Sequence, residues 1–167
     1  MFLFTYLRNI RYILKHKWFV FVACCKMGII WRGIIHDMSK FSISEFKPYA
    51  FYFFGKLPYW DEVKKVMPAY CYSYTKDYWK DKFDLAWLHH KRINKHHWEY
   101  WVDVDEDRKI TILKMPEVYA KEMLCDWRGA GKAINGFDET KSWYEKNKNQ
   151  MLLHSETRAW IEEQLSK

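Results

Sequence analysis

The residues best suited to chemistry in this sequence are its seven histidines, at positions 16, 36, 89, 90, 96, 97 and 154. His36 is followed at once by Asp37, and His89-His90 and His96-His97 are doubled. Helical positions seven apart return to nearly the same face, drifting by only about 20°. One helix carrying all four would therefore align His89 with His96 and His90 with His97. Asn94-Lys95 offers the alternative that the helix ends there and the second pair enters from a loop. A lone histidine on an apolar helix is ordinarily a hydrogen-bonded core residue, and an isolated His-Asp dipeptide carries little weight. The doubled pairs are harder to explain that way, because Trp87, Trp98, Tyr100 and Trp101 surround them instead of the Gly/Ser-rich setting of solvated His tracts. Imidazoles and carboxylates converging from several elements can hold a divalent metal with positions left for water and substrate. The pattern points to a metal or phosphate pocket.

The elements that must position these groups are those of an α-helical chain. With 167 residues, 49% apolar and 29% charged, the sequence has enough material for one core and is not disordered in bulk. Six glycines and four prolines disfavour turn-rich all-β architectures, and 10 Trp, 12 Tyr and 11 Phe give the core an aromatic character. A net charge of +7 leans toward anionic partners, nucleic acid among them. Cys24-Cys25, Cys71 and Cys125 form no Cys-x-x-Cys motif and read as reduced core thiols, which favours a cytoplasmic location. No apolar run approaches the roughly 20 residues of a membrane span, and no signal peptide is apparent. An amphipathic, basic and aromatic N-terminal helix lying on a membrane surface is an alternative to a core-facing one.

Along the chain, Phe4, Leu7, Ile10 and Leu14 predict a helix over Leu3–Lys15 with a core-facing stripe. A second helix over about Lys17–Ile34 is apolar nearly all round and is expected to be the central buried one. Ser42 and Glu45 have capping-box spacing and open a third helix through about Phe54, with Pro48 as an early kink. Gly55–Pro58 reads as a break, with helical material over Asp61–Val66 and again over Thr75–Lys95. Residues 101–104 and 110–113 alternate apolar and polar around Asp105-Glu106-Asp107-Arg108 and predict a small hairpin. Pro116 suits the first position of a helix running from Glu117 to a stop at Gly129/Gly131. Asp138–Leu165 predicts one or two further helices. The expectation is a single all-α domain over residues 1–167, with one β-hairpin near residues 101–113.

The order His16, His36-Asp37, Asp126 resembles the signature of the HD-domain superfamily of metal-dependent phosphohydrolases: a His, a His-Asp pair and a distant Asp, all on helices. The strings Trp31-Arg32-Gly33-Ile34-Ile35-His36-Asp37-Met38-Ser39-Lys40-Phe41 and Asn94-Lys95-His96-His97-Trp98-Glu99-Tyr100-Trp101, with Asp126-Trp127, further resemble a small bacterial and phage family that has no assigned reaction. The resemblance covers most of residues 5–165.

That resemblance implies an HD-like helical bundle in which His16, His36, Asp37 and Asp126 hold a divalent ion, one of Mn, Ni, Mg, Fe or Zn. His90 and His97 match the extra histidines of two-metal members, with His89 and His96 as the other choice at each pair. Some nucleotidases of the superfamily carry a water-orienting Glu three residues after the paired Asp, where this chain has Lys40. A lysine binds phosphate and does not act as that base, so Asp37, Glu45 or a bridging hydroxide takes the role in this reading. The implied reaction is hydrolysis of a nucleotide or small phosphoester by metal-activated water. Lys40, Lys91, Arg92 and Arg128 are candidate phosphate contacts, and Trp98, Tyr100 and Trp101 are candidate base-stacking platforms. Two other functions fit the same residues: a di-iron oxygenase, and a non-catalytic module binding nucleic acid through its cations and aromatics.

Overall fold

In a computed structural model that describes residues 2–55 and 69–167, the first helix does not stop where the sequence suggests. It runs unbroken as α1, Phe2–Lys26, through the basic stretch at Lys15–Lys17. Its apolar stripe is also misassigned: Phe4, Leu7 and Leu14 face outward, and the buried stripe is Thr5, Asn9, Ile13, His16, Val20 and Cys24. The chain breaks at Gly28, whose φ of 71° suits a residue without a side chain, and re-enters as α2, Ile30–Ile35. A 3-10 turn at Met38–Phe41 leads into α3, Ile43–Phe54, with Ser42 at its N-cap position. The helix expected over Asp61–Val66 lies outside the described residues. The long helix α4 spans Ala69–Ile93, and Asn94-Lys95 does end it.

After a 3-10 turn at Trp98–Trp101, β1 (Val102–Val104) and β2 (Ile110–Ile112) form the expected antiparallel hairpin, with Val102 opposite Ile112 and Val104 opposite Ile110. Then come α5 (Glu117–Asn135), α6 (Thr140–Asn147) and α7 (Ser155–Ser166). The fold is mostly helical with one two-stranded sheet among the described residues. His154 is used as a cap, its Nδ1 accepting from the Glu156 amide at 3.3 Å where α7 begins.

The described residues pack as two compact units, each with its own interior. One unit draws on residues 1–13 and 38–90. It spends much of the aromatic content on ring packing: Phe51 stacks on Trp79 and Tyr52 on Phe83, at centroid distances of 4.3 and 4.1 Å. The other draws on residues 14–37 and 91–167 and is built around α5. Met115, Met123, Leu124, Tyr144, Met151, Leu153 and Ile161 form its main core, with Trp98, Trp101 and Trp127 against it.

The central buried helix is therefore α5, not residues 17–34. It also passes straight through the expected stop at Gly129/Gly131 and ends at Gly136, which adopts the left-handed conformation usual after a helix (φ 87°). Gly129 serves packing instead, because a Cβ there would sit 2.4 Å from the Val20 side chain and 2.9 Å from the Val20 backbone nitrogen. Alanine normally stabilises a helix interior by about 1 kcal/mol over glycine. Here we expect the reverse: Gly129→Ala should lose on the order of 1–3 kcal/mol through overpacking against backbone that cannot yield. Thermal unfolding followed by circular dichroism checks the sign, and a variant as stable as the parent would refute the close approach.

Candidate metal centre

Four short stretches of the second unit deliver the polar groups. α1 brings in His16 one turn before Val20. α2 folds back so closely that a Cβ on Gly33 would meet Cys24 at 2.8 Å, and it ends at His36. The Lys17 ammonium donates to the carbonyl oxygens of His36 and Ile34 (3.2 Å to the latter), satisfying the end of α2 from the neighbouring helix. Asp37 takes a left-handed backbone (φ 52°), which Asp tolerates better than most residues. On α5, Glu122 and Asp126 are four residues apart and share a face. The loop after α4 supplies His96 and His97.

These groups converge. His16 Nε2 lies 3.0 Å from Asp126 Oδ1 and 3.6 Å from Asp37 Oδ2. His36 Nε2 lies 3.3 Å from Asp37 Oδ2 and 3.4 Å from Asp126 Oδ1. His16, His36, Asp37 and Asp126 each offer one ligand atom, all within 4.8 Å of one another, and the first three are buried. On the other side of Asp37, His96 Nε2 approaches Oδ1 at 3.4 Å, and His97 offers a further ligand atom in the same range. The two oxygens of Asp37 thus face two sets of imidazoles. Two neutral-capable imidazoles and two carboxylates with Nε2 and Oδ atoms turned inward form a donor set suited to a first-row divalent ion.

Behind the rings stands Glu122, fully buried and absent from the sequence reading. Its Oε1 lies 3.1 Å from His36 Nδ1 and 3.4 Å from His96 Nδ1, while Oε2 accepts from Arg32 Nε and Nη2, each at 2.6 Å. A carboxylate on Nδ1 keeps the proton there and leaves Nε2 to face the site. The electrostatics follow this layout. Burial alone would lower the His36 pKa, but the charge of Asp37 and hydrogen bonds to Asp126, Asp37 and Glu122 raise it well above normal. His96 is lowered by burial and by the nearby charge of His36. Burial would raise Glu122, yet its bonds to His36 and His96 bring it down to about 2. Asp126 is held well below its usual range, His16 and His36 outweighing its burial.

In the other unit, His90 is fully buried with its Nδ1 2.8 Å from Glu45 Oε2, and His89 Nδ1 is 2.8 Å from Oε1. The Ser39 hydroxyl donates to Glu45 Oε2 at 3.0 Å. Glu45 is buried, which would raise its pKa, but these hydrogen bonds, His90 first, lower it. Ser42 makes no side-chain cap bond to α3 and meets Ser44 instead, so the capping-box spacing serves a Glu-His cluster and not a cap. Lys40 stands over the Tyr49 ring at 5.9 Å. Lys91 pairs with Glu99 at 3.4 Å and Arg128 with Asp138 at 3.9 Å, which offsets their charge. Arg92 is exposed. Trp98 is half-buried and packs on the core around Met123. The sequence signal that would have found Glu122 is its spacing of four from Asp126 within one helix.

A family model described as a family of unknown function, DUF5662, matches residues 5–167. No curated protein and no solved structure matches the chain.

The depressed carboxylates set a pH dependence. Glu122, normally near 4.5, contributes stability that is fully present above about pH 4.5 and is lost as pH falls toward 2. His36, raised, contributes below its ordinary 6.5, and that part is lost as pH climbs through its raised value. Melting temperatures of chelator-treated protein should therefore fall on the acid side from about pH 4.5 downward. Glu122→Gln should flatten that acid limb and cost about 3 kcal/mol near neutrality, as expected for a broken buried ion pair. An acid limb of unchanged slope in the Gln variant would show that Glu122 does not carry it.

Proposed function

The chain belongs to the DUF5662 family, and from that starting point we propose that it is a metal-dependent phosphohydrolase of the HD type, acting on a nucleotide or another small phosphoester. The observation that supports this reading is the convergence of His16, His36, Asp37 and Asp126 within 4.8 Å in the second unit. A divalent ion held there would lower the pKa of a bound water toward neutrality and polarise a phosphoryl oxygen. The protein's own groups have separate tasks. His16, His36, Asp37 and Asp126 would hold the ion, and Glu122 keeps the His36 proton on Nδ1. Asp37, which touches both sets of imidazoles, would accept the proton that leaves the attacking water. Arg32 and Lys95 line a cavity of about 340 Å³ together with Asn94, Tyr119 and Glu122, an environment suited to an anionic substrate.

One observation favours a second ion. Asp37, His96 and His97 offer ligand atoms within 4.8 Å of one another, a donor set that would hold it. Two irons in this arrangement would favour an oxygenase over a hydrolase. Metal analysis of purified protein, followed by a screen of nucleotides and phosphoesters with each added metal, separates the two chemistries. A protein that holds no metal and turns over nothing would favour the nucleic-acid-binding alternative.

Asp37→Asn is the decisive variant, because Asn keeps the left-handed backbone that Ala would strain. We expect metal occupancy to fall strongly and phosphoester turnover to drop by about 10²-fold or more, with the melting temperature of the metal-free protein little changed. Full metal occupancy in the Asn variant would place the site elsewhere.

A further inference from the structure

α1 buries a mixed polar and apolar stripe and turns a row of large apolar side chains outward. On the buried stripe, the Thr5 hydroxyl donates to the Phe54 carbonyl at 3.4 Å, the Asn9 amide donates to the Phe46 carbonyl at 3.2 Å, and His16 belongs to the metal centre. On the outward stripe, Leu3, Phe4, Leu7, Leu14 and Trp18 expose 70%, 61%, 53%, 54% and 61% of their surface. Single exposed apolar residues are ordinary, but five along one helical stripe are not. The cations Arg8, Arg11 and Lys15 stand exposed among them, and Lys26 closes the helix. Lys15 also donates to the Ala133 carbonyl at 2.7 Å, and Arg8 lies over the Phe4 ring at 5.8 Å. Residues 1–36 contain no carboxylate side chain; the first is that of Asp37. In the same acid-free stretch, α2 leaves Ile30, Trp31 and Ile34 exposed.

We propose that the outward stripe of α1 seats the protein on an anionic phospholipid surface. Its leucines, Phe4 and Trp18 enter the boundary between headgroups and acyl chains, and its Arg and Lys side chains meet the lipid phosphates. Charge selects this occupant. A second copy of the chain would bring cation against cation, with no carboxylate on the stripe to pair them. Nucleic acid would satisfy the cations but leave the aliphatic stripe in water. Crossing the bilayer is not the mode, since no helix of the described residues is long and apolar enough to span it. A helix in the plane of the interface needs what α1 has: one apolar stripe, flanking cations and an opposite side already anchored to protein.

The test is co-sedimentation of the full chain with vesicles of phosphatidylcholine alone and of phosphatidylcholine mixed equally with phosphatidylglycerol. We expect binding to the mixed vesicles at least tenfold above the neutral ones, weakened by high salt as screening requires. The double variant Leu7→Glu with Trp18→Glu should abolish it without changing the melting temperature, because both side chains are exposed. Should that variant fold poorly, Arg8→Gln with Arg11→Gln leaves the apolar stripe intact and should cut binding to the mixed vesicles severalfold. No sedimentation with the mixed vesicles overturns the proposal. So does a concentration-dependent dimer that the glutamate variant converts to monomer, which would give the stripe to a second copy.

Discussion

The approach of two helix backbones at Val20 and Gly129 is the contact on which the candidate metal centre depends. A side chain on Gly129 would lie 2.4 Å from Val20, so only the missing Cβ lets α1 and α5 come this near. His16 is one turn before Val20 on α1, and Asp126 is one turn before Gly129 on α5. Their 3.0 Å contact follows from that approach. Cys24, Cys125, Val20 and Ala23 fill the seam beside it with small side chains, whereas Cys25, expected in the core, is exposed. The second glycine of the pair, Gly33, does the same for α2 against α1 and sets where His36 and Asp37 arrive. Small residues at helix contacts here are the means by which long polar side chains meet.

The cluster they assemble is costly as a structural device. Asp37, Glu122 and three histidines are buried together, and Asp126 and Arg32 are mostly so. Burying charges, even paired ones, is commonly no better for stability than an apolar core of equal volume. The arrangement distributes the cost well: Arg32 meets Glu122 on two nitrogens, Glu122 meets two rings, and those rings meet two aspartates. Glu122 and Asp126 are therefore held ionised, these contacts lowering their pKa values against burial. Such an expense is ordinary for a site with chemistry to do and unusual for packing.

Much of this was legible in the residues. The hairpin at residues 101–113, the helix through Phe54 and the end of α4 at Asn94-Lys95 lie where turn chemistry and periodicity put them. His16, His36, Asp37 and Asp126 could be nominated because their order along the chain is informative. What failed did so for physical reasons. The stripe Phe4, Leu7, Leu14 has the period of a core face, and no local rule says which side of a helix the protein covers; the need to bring Asn9 and His16 inward decides it. Gly129 and Gly131 resemble stop signals because a glycine's role in packing is invisible without its neighbour. Glu45 has the spacing of a cap but finds stronger partners in His89 and His90. Glu122 lacked any marker beyond its distance from Asp126, since a carboxylate that orients histidines looks like any helical Glu in sequence.

The Lys17 cap bears on the order in which the centre is made. His16, His36 and Asp37 are joined by a short loop through Gly28, and Lys17 ties the end of α2 back to α1 within that loop. Closing a loop this short forfeits little chain entropy, whereas bringing in Asp126 closes a much longer one, at a cost that grows only logarithmically with length but must be met before any contact rewards it. The helical hairpin can therefore form early, as a half-built site with two imidazoles and one carboxylate. Docking of α5 would then supply both the last candidate ligand, Asp126, and the Glu122 brace. An ion captured by the hairpin during folding would recruit α5 to itself, so that cofactor loading and the closing step of folding become one event.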